Sequence, residues 1–473
     1  MSNKWLRPSR MFLTALVLVT MTIAASTQDD HDGFSVLFRF QPASRQAGAS
    51  PLGSQPDSRP VLGSDGAIYG MTLDGGKYGT GVIYRLDRQS QQYTLLHTFS
   101  ALNANGYNLD GAYPGVALTA GPGNVFYGMA TSGGKNGNGT VFRITTSGDF
   151  SVLHTFSALN ANANNEDGAY PLRTIVVDND GNLYGTTRIG GINICGTFPF
   201  PNGCGVAWMI DTEGNFHVLH QFTASEGHAA SLLQASDGFF YGCAVWPATA
   251  LSNGQPLPSG ILYRMGISGK PFQVLYTFSQ TNSSGENSDG ADCYEPLLER
   301  EPGVFYGSTT NGGTYGDGVV FRYALSNPDT VDIVHVFSAT TNGENSDGAN
   351  PFARLTLGGD GTMYSTASYG GENGNGVVYG IGPRGDYHVL HTFSATNVTT
   401  GANRDGAFPD YGVILGADDT LIGTTYLGGR GSSAGLGNTG GTLYQIEIEL
   451  RRSRNSAQFQ ENTYVSEIAQ ESN

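Results

Sequence analysis

Charged residues are scarce in this chain, and positively charged ones are scarcest. Only 14% of the 473 residues are charged, and 24 Lys and Arg face 40 Asp and Glu, for a formal net charge of −16. In the part of the chain that we expect to fold, Lys and Arg residues form no cluster within this excess of acidic residues. Because an acidic surface repels phosphate groups, we expect neither nucleic acid nor an anionic membrane as a partner.

The common motifs of cofactor, metal and nucleophile chemistry are also missing. The sequence has no G-x-S-x-G elbow, no H-E-x-x-H pair, no phosphate-binding loop and no dinucleotide fingerprint. We therefore expect no cofactor and no bound metal. Only four cysteines occur, in no metal-binding spacing. Of three conceivable pairings we favour Cys195 with Cys204, because they bracket the short loop 196–203, which leaves Cys243 with Cys293 by elimination.

Long hydrophobic runs are missing except near the N-terminus. Lys4, Arg7 and Arg10 precede an apolar stretch over residues 11–25 that ends in small residues, which is typical of a signal peptide. We predict a signal peptide over residues 1–26, secretion into an oxidising compartment and no membrane association after cleavage. An uncleaved anchor is the alternative. Residues 447–473 form a polar tail that we expect to be disordered.

Glycine is abundant, with 69 residues, and the chain is built of repeats. A Tyr-Gly element recurs every 57–65 residues, at Tyr69, Tyr127, Tyr184, Tyr241, Tyr306 and Tyr364, with a weakened copy at Ile422. A second element of the type GVIYRL begins at residues 81, 139, 205, 260, 318, 376 and 441. A third element of the type TLLHTF begins at residues 94, 151, 217, 273, 332 and 388. These short segments are rich in β-branched and aromatic residues and bounded by turn residues, so they indicate strands.

Four strands in each of seven repeats predict an all-β fold, a seven-bladed β-propeller of four-stranded antiparallel blades. We place it at residues 34–446 as a single domain. The fourth strand of each repeat precedes the Tyr-Gly element, as at residues 173–177 and 354–357. The last repeat lacks the third element, but a copy stands at residues 35–40. We predict that strand 35–40 completes the seventh blade, because an open ring would expose an unpaired strand edge.

The repeats also resemble a known family. The order VLHTF, DGAxP, DGxLYGTT and GGxxGxGTVFRI, found from about residue 34 to residue 446, resembles the extracellular Gly-rich tandem repeats called HAF or GloVer repeats. Repeat four departs from the pattern, and repeat seven lacks the Tyr. The resemblance implies a secreted or surface location and a propeller-like fold, but no defined activity.

Two sets of long loops are expected on one face of the ring, where we place the function. One set joins the outer strand of a blade to the inner strand of the next, and the other carries the Gly-Gly pairs. Repeated residues in these regions are interpreted as structural. We expect packing for the outer-strand histidines, His97, His154, His220, His335 and His391. We expect turn capping, with calcium binding as the alternative, for the DGA aspartates, Asp110, Asp167, Asp289, Asp347 and Asp405.

Repeats three to five break the pattern on this face. Repeat three inserts a loop between its cysteines, repeat four loses both DGAxP and Gly-Gly, and repeat five changes the segment before its inner strand. Such an irregular, aromatic sector indicates one asymmetric pocket for a small molecule, with sequence drift as the alternative. The candidate substrate-binding residues are Arg188, Phe198, Phe200, His228, Trp246 and Tyr294. Trp208 stands where other repeats have Phe, so we assign it to the core.

A secreted propeller with such a pocket is similar in outline to the fungal hetero-Diels–Alderases of tropolone–sesquiterpenoid biosynthesis. This architectural resemblance implies an enzyme that binds an apolar or aromatic molecule and templates a cyclisation in secondary metabolism; it assigns no catalytic residue. The alternative is a non-catalytic secreted or surface protein that binds glycan or protein. In a eukaryotic host, the sequons at Asn138, Asn282 and Asn397 predict glycosylation.

Overall fold

The computed structural model describes residues 20–22, 33–42, 50–115, 117–195, 203–245, 258–431 and 439–448. Their strands form seven antiparallel sheets arranged as the blades of a propeller. The predicted all-β, seven-bladed fold is confirmed. No helix in this part of the chain has the length and hydropathy needed to span a membrane.

The blades are numbered in chain order, and their strands are given from the inner to the outer edge. Blade 1 holds β3 (Val61–Leu62), β4 (Ile68–Thr72), β5 (Val82–Leu86) and β6 (Gln92–Thr98). Blade 2 holds β7 (Thr119–Gly121), β8 (Val125–Ala130), β9 (Thr140–Thr145) and β10 (Phe150–Thr155). Blade 3 holds β11 (Ala169–Val177), β12 (Leu183–Ile189), β13 (Val206–Ile210) and β14 (Phe216–Gln221).

Blade 4 has a divided inner strand and is the irregular one. It holds β15 (His228–Ala229) and β16 (Leu233–Gln234), which both pair with β17 (Phe240–Val245), followed by β18 (Ile261–Met265) and β19 (Phe272–Thr277). Blade 5 holds β20 (Leu298–Glu301), β21 (Val304–Thr309), β22 (Val319–Ala324) and β23 (Asn327–Val336). Blade 6 holds β24 (Thr356–Leu357), β25 (Met363–Ala367), β26 (Val377–Ile381) and β27 (Tyr387–Thr392).

Blade 7 contains strands from both ends of the chain. Its inner three are β28 (Val413–Leu415), β29 (Thr420–Thr425) and β30 (Thr442–Glu447), and its outer strand is β2 (Phe34–Arg39). β2 pairs with β30 from Phe34 opposite Ile446 to Arg39 opposite Thr442. The predicted closure by an N-terminal strand is therefore confirmed, with the strand beginning one residue earlier than predicted.

A further short strand, β1 (Thr20–Thr22), pairs with the outer strand of blade 1. It falls within the residues predicted as a signal peptide, and the four strands of blade 1 pair without it. The extent of the signal peptide stays a prediction, and the predicted C-terminal tail lies outside the described residues except for its first two positions.

The Tyr-Gly element has a packing reason. The glycine lies opposite a large aromatic residue of the neighbouring strand, and a Cβ at Gly185 would overlap the indole of Trp208. Gly128 meets Phe142 in the same way, and Gly423 meets Tyr444. Glycine lets these rings lie flat on the sheet and fill the space between blades. Trp208 is fully buried, so its predicted place in the core is confirmed.

Repeated histidines hold neighbouring blades together. Each stacks on the aromatic residue at the start of the next blade's outer strand, with ring centroids 3.7–4.0 Å apart: His97 on Phe150, His154 on Phe216, His220 on Phe272, His335 on Tyr387 and His391 on Phe34. The last of these pairs joins blade 6 to the N-terminal strand β2. The prediction that the outer-strand histidines serve packing is confirmed.

Candidate functional site

The face with long loops is held rigid by a repeated hydrogen-bond network. The DGA aspartate accepts hydrogen bonds from the backbone and side chain of a serine at the end of the preceding outer strand, as Asp405 does from Ser394. The histidine of that strand contacts the same carboxylate, with His391 Nε2 3.0 Å from Asp405. Such capping was predicted for these residues. Among the described residues no group of His, Cys, Asp and Glu could hold a metal ion, so calcium binding gains no support.

An asparagine two residues before each DGA aspartate completes the network. Asn108 Oδ1 accepts hydrogen bonds from the N–H groups of Gly111 and Gly134, and its Nδ2 donates to two carbonyls. Its equivalents are Asn165, Asn287, Asn345 and Asn403. These bonds tie the two sets of long loops together, and antiparallel bridges such as Ala112 with Ser132 do the same. Both sets of loops therefore leave one face, as predicted.

Charged side chains meet at the axis of the ring. Arg59, Arg173, Glu295 and Arg354 come from blades 1, 3, 5 and 6, and together with Tyr411 of blade 7 they line a cavity of about 400 Å³. The other lining residues lie in the inner strands or next to them and are mostly apolar, among them Leu118, Ile175, Leu232 and Ile414. The cavity runs along these strands toward the short turns, on the opposite side from the long loops.

A layer of four side chains lies at the end of the cavity that is nearer the long loops. This axial layer consists of Arg173, Tyr294, Phe352 and Tyr411. The guanidinium of Arg173 lies 4.4 Å from the ring centroid of Phe352 and 5.2 Å from that of Tyr294. Phe352 in turn lies 5.3 Å from Tyr294 and 6.4 Å from Tyr411. Arg173 also forms an ion pair of 2.6 Å with Glu295, and both side chains are only 10% exposed.

Within the described residues, the two remaining arginines form no ion pair, although Glu295 acts on both through its charge. Arg59 donates hydrogen bonds to the carbonyl of Val413 and the hydroxyl of Thr356. Burial lowers the pKa of Arg59 to about 9, and the charge of Arg354 adds to this effect. Arg354 forms no ion pair within the described residues, and burial lowers its pKa although Glu295 opposes the shift. The cavity lining thus holds three arginines and one glutamate.

Two carboxyl groups lie on the long-loop side of the axial layer. Burial raises the pKa of Asp57 to about 8, and the nearby Asp410 raises it further, although a hydrogen bond from Tyr411 opposes the shift. Burial raises the pKa of Asp410 to about 7. At pH 7 Asp57 is therefore largely protonated and Asp410 about half protonated, so the two carboxyl groups offset the charge of the arginines only in part.

The family of the chain follows from these repeats. A model of the Gloeobacter/Verrucomicrobia repeat matches residues 21–200, 198–404 and 295–470. The chain belongs to this family. The resemblance inferred from the repeat elements is thereby confirmed. No curated protein matches the chain.

Solved structures resemble this Gloeobacter/Verrucomicrobia repeat protein only distantly. An oligogalacturonate lyase in complex with manganese has 13% sequence identity and a TM-score of 0.48, with 91% of this chain and 97% of that chain covered. An oligogalacturonate lyase from Vibrio parahaemolyticus has 14% identity and a TM-score of 0.47, with coverage of 92% and 97%. The periplasmic gluconolactonase of Pseudomonas aeruginosa has 14% identity and a TM-score of 0.44, with coverage of 80% and 96%. No activity follows from likenesses of this size.

The structure places the predicted site residues of this repeat protein in different surroundings. Tyr294 lies in the axial layer, whereas the side chain of Arg188 is exposed. His228 is 4% exposed, and its Nδ1 donates to the carbonyl of Arg188 at 2.8 Å. Burial lowers the pKa of His228, so the ring is neutral and held by its backbone contact. Phe198, Phe200 and Trp246 lie outside the described residues.

Both predicted disulfides are present. Cys195 is bonded to Cys204, and Cys243 is bonded to Cys293. The second bond ties blade 4 to the segment before the inner strand of blade 5, two residues before Glu295. It therefore braces the backbone that carries a charged residue of the cavity.

The predicted glycosylation sites differ in exposure. Asn282 and Asn397 are exposed in long loops. Asn138 is only 6% exposed, and its amide donates to the carbonyl of Ser157. The folded protein has no room for a glycan at Asn138, so this site is unsuited to the role. Glycosylation at Asn282 and Asn397 stays a prediction.

Sequence reasoning missed most of the axial residues. Asp57, Arg59, Arg173, Arg354 and Asp410 all stand within a few residues of an inner strand. One sequence signal could have indicated these axial residues. It is a charged residue within a short segment of otherwise mostly small or apolar residues, as in PLRTI or PFARL. Except for Asp57 and Arg59, which both belong to the first repeat, the charges occur in different repeats, so no single repeat shows the cluster.

Proposed function

We propose that this protein is a secreted binding propeller that holds a small carboxylate-bearing molecule in its axial cavity. The observation that carries the proposal is the excess of positive charge in the lining, three arginines against one glutamate. An uncompensated buried charge is costly, and a ligand carboxylate would offset that cost. Arginine is well suited to this because its planar guanidinium binds carboxylates through two parallel hydrogen bonds.

The size and remaining lining of the cavity support the same class of ligand. A volume of about 400 Å³ falls in the range of small-molecule sites. Leu118, Ile175, Leu232 and Ile414 offer an apolar wall opposite the charged groups. The ligand would therefore be a compact organic anion with an apolar portion, rather than an inorganic ion.

Secretion is part of the proposal. Two disulfides and membership of a repeat family that resembles extracellular proteins support it, together with the N-terminal sequence pattern. The predicted hetero-Diels–Alder cyclisation has less support. Its substrate would be apolar or aromatic, and such a molecule would leave the arginines of this cavity without a counter-charge. Three of its candidate residues also lie outside the described part of the chain, so cyclisation stays a prediction.

The test is a comparison of Arg354→Met with wild-type protein. Isothermal titration with a panel of mono-, di- and tricarboxylates, including hydroxy acids, should find at least one that binds the wild type. Arg354→Met should bind it at least tenfold more weakly, because about 1.4 kcal/mol or more of charged hydrogen bonding is lost. Without ligand, the variant should melt no lower than the wild type, because the substitution removes a partly buried cation that forms no ion pair within the described residues.

The matched control is Arg322→Met. Arg322 pairs with Asp332 on the outer strands of blade 5, where both side chains are at least 35% exposed. This variant should bind the carboxylate as the wild type does. The proposal is wrong if no carboxylate of the panel binds, or if Arg354→Met binds as tightly as the control.

A further inference from the structure

The long-loop face carries a set of exposed tyrosines that the axial cavity does not use. Most large aromatic residues of the chain are buried, but five tyrosines have 36–51% of their surface exposed: Tyr78, Tyr107, Tyr170, Tyr315 and Tyr369. Each lies in a long loop or at the end of one, on the same face of the ring. We call this set the tyrosine rim. No tyrosine of the described residues is comparably exposed on the opposite face.

Two members of the rim replace a structural residue of the repeat. In blades 2 and 6 the corresponding position holds Asn136 and Asn373, whose amides donate to the carbonyls of Phe156 and Phe393. Blades 1 and 5 have Tyr78 and Tyr315 there instead. A side chain that can brace the loop has thus been exchanged for an aromatic ring in solvent. These rings stand on long loops of a rigid scaffold, where binding residues are commonly found.

The rings of the rim are positioned by neighbouring groups. Tyr369 lies 5.0 Å from the ring of Phe408, and Lys77 Nζ lies 5.0 Å from the ring of Tyr78. Tyr170 has a left-handed backbone with φ of 55°, and its N–H donates to the carbonyl of Asn138 in the preceding blade. Non-glycine residues adopt this conformation only when the surrounding structure imposes it. The ring of Tyr369, the ring of Tyr78 and the backbone of Tyr170 are therefore restricted before any ligand arrives.

We propose that the tyrosine rim binds a neutral oligosaccharide. Its rings lie in loops that are rich in Asn, Ser and Gly residues. A sugar ring matches this pattern, because it offers a C–H face to an aromatic ring and hydroxyl groups to polar side chains. The net charge of −16 disfavours anionic chains. An oligosaccharide has repeating units, and the long-loop face has repeating loops. Several weak contacts between units and loops would together raise the affinity.

The experiment exploits the repeat itself. In the double variant Tyr78→Asn with Tyr315→Asn, each tyrosine is replaced by the residue that blades 2 and 6 use, so the fold should be retained. The probes are immobilised hexasaccharides of glucose, mannose, xylose and N-acetylglucosamine, with a galacturonic acid hexamer as the anionic comparison. We expect the wild type to bind at least one neutral hexasaccharide. The double variant should bind it at least tenfold more weakly, because a ring contact is worth about tenfold in affinity.

Two controls separate the outcomes. Tyr78→Phe with Tyr315→Phe should bind within about threefold of the wild type, because the ring faces remain. Arg354→Met should bind the oligosaccharide normally, so that failure of the axial proposal leaves this one standing. The proposal is overturned if no neutral hexasaccharide binds, in which case a protein becomes the occupant to seek. It is also overturned if the asparagine double variant keeps the wild-type affinity.

Discussion

Replacement of Asp57 by asparagine should stabilise the protein more strongly as the pH rises. Asp57 lies beside Asp410 near the axis, and burial raises its pKa from 3.8 to about 8. Between these two values the unfolded chain has lost the proton while the folded protein keeps it. The folded state then binds one proton more, so the free energy of unfolding falls as the pH increases.

The magnitude follows from this proton. One proton corresponds to 1.36 kcal/mol per pH unit, so the wild type should lose about 2.7 kcal/mol between pH 5 and pH 7 through Asp57 alone. Asparagine does not titrate and can still accept a hydrogen bond from Tyr411. The advantage of Asp57→Asn over the wild type should therefore grow by about 2.7 kcal/mol over this range. Asp410 titrates in both proteins, and its own effect cancels to a first approximation.

Urea unfolding at pH 5 and pH 7, followed by tryptophan fluorescence and circular dichroism, measures the difference. The control is Asp65→Asn. Burial raises the pKa of Asp65, but hydrogen bonds from Arg85 and Tyr69 outweigh burial and hold it below the usual value. Asp65 is thus ionised in both states at pH 5 and pH 7, and its replacement should cost a similar amount at each. An advantage of Asp57→Asn that stays the same within about 0.5 kcal/mol between the two pH values would refute the reasoning.

Two further predictions concern stability. Burial raises the pKa of Asp405, but hydrogen bonds from His391 and Ser394 outweigh burial and hold the pKa below the usual 3.8. The ionised carboxylate therefore stabilises the folded state above pH 3.8. This stabilisation is lost as the pH falls through the pKa of the folded state. Asp405→Asn should lower the melting temperature by several degrees at pH 7 and by less at pH 3; equal losses at both would contradict this. Removal of the Cys243–Cys293 disulfide, whose cysteines are 50 residues apart, should cost about 4 kcal/mol, against about 2.5 kcal/mol for Cys195–Cys204 at a separation of 9. Thermal melting of the two double Cys→Ala variants checks the order, and a larger loss at Cys195–Cys204 would speak against it.

The sequence by itself determined the architecture of this protein. The sequence repeats a set of short strands separated by turn residues, and this pattern predicts a propeller. Each four-stranded blade can bury its two faces only against the neighbouring blades. The last repeat lacks the third element, and a copy of that element stands at residues 35–40. The sequence alone therefore predicted which strand closes the ring. Hydrophobic periodicity and turn chemistry are local signals, and seven copies of each made them unambiguous. The disulfides could also be assigned, because one pair brackets a short loop.

The axial cavity was decided only by the tertiary structure. Arg59, Arg173, Glu295 and Arg354 are up to 295 residues apart in the chain, and in each repeat a single charge looks like an ordinary surface residue. Closure of the ring brings all inner strands to one axis, so isolated charges become neighbours in a buried space. Only there do their burial and mutual repulsion alter the pKa values of Arg59, Asp57 and Asp410. The irregular blades pointed to the long-loop face. Of the three candidates that lie in the described part of the chain, only Tyr294 belongs to the axial layer, because a departure from the repeat pattern does not show where a side chain lies in the fold.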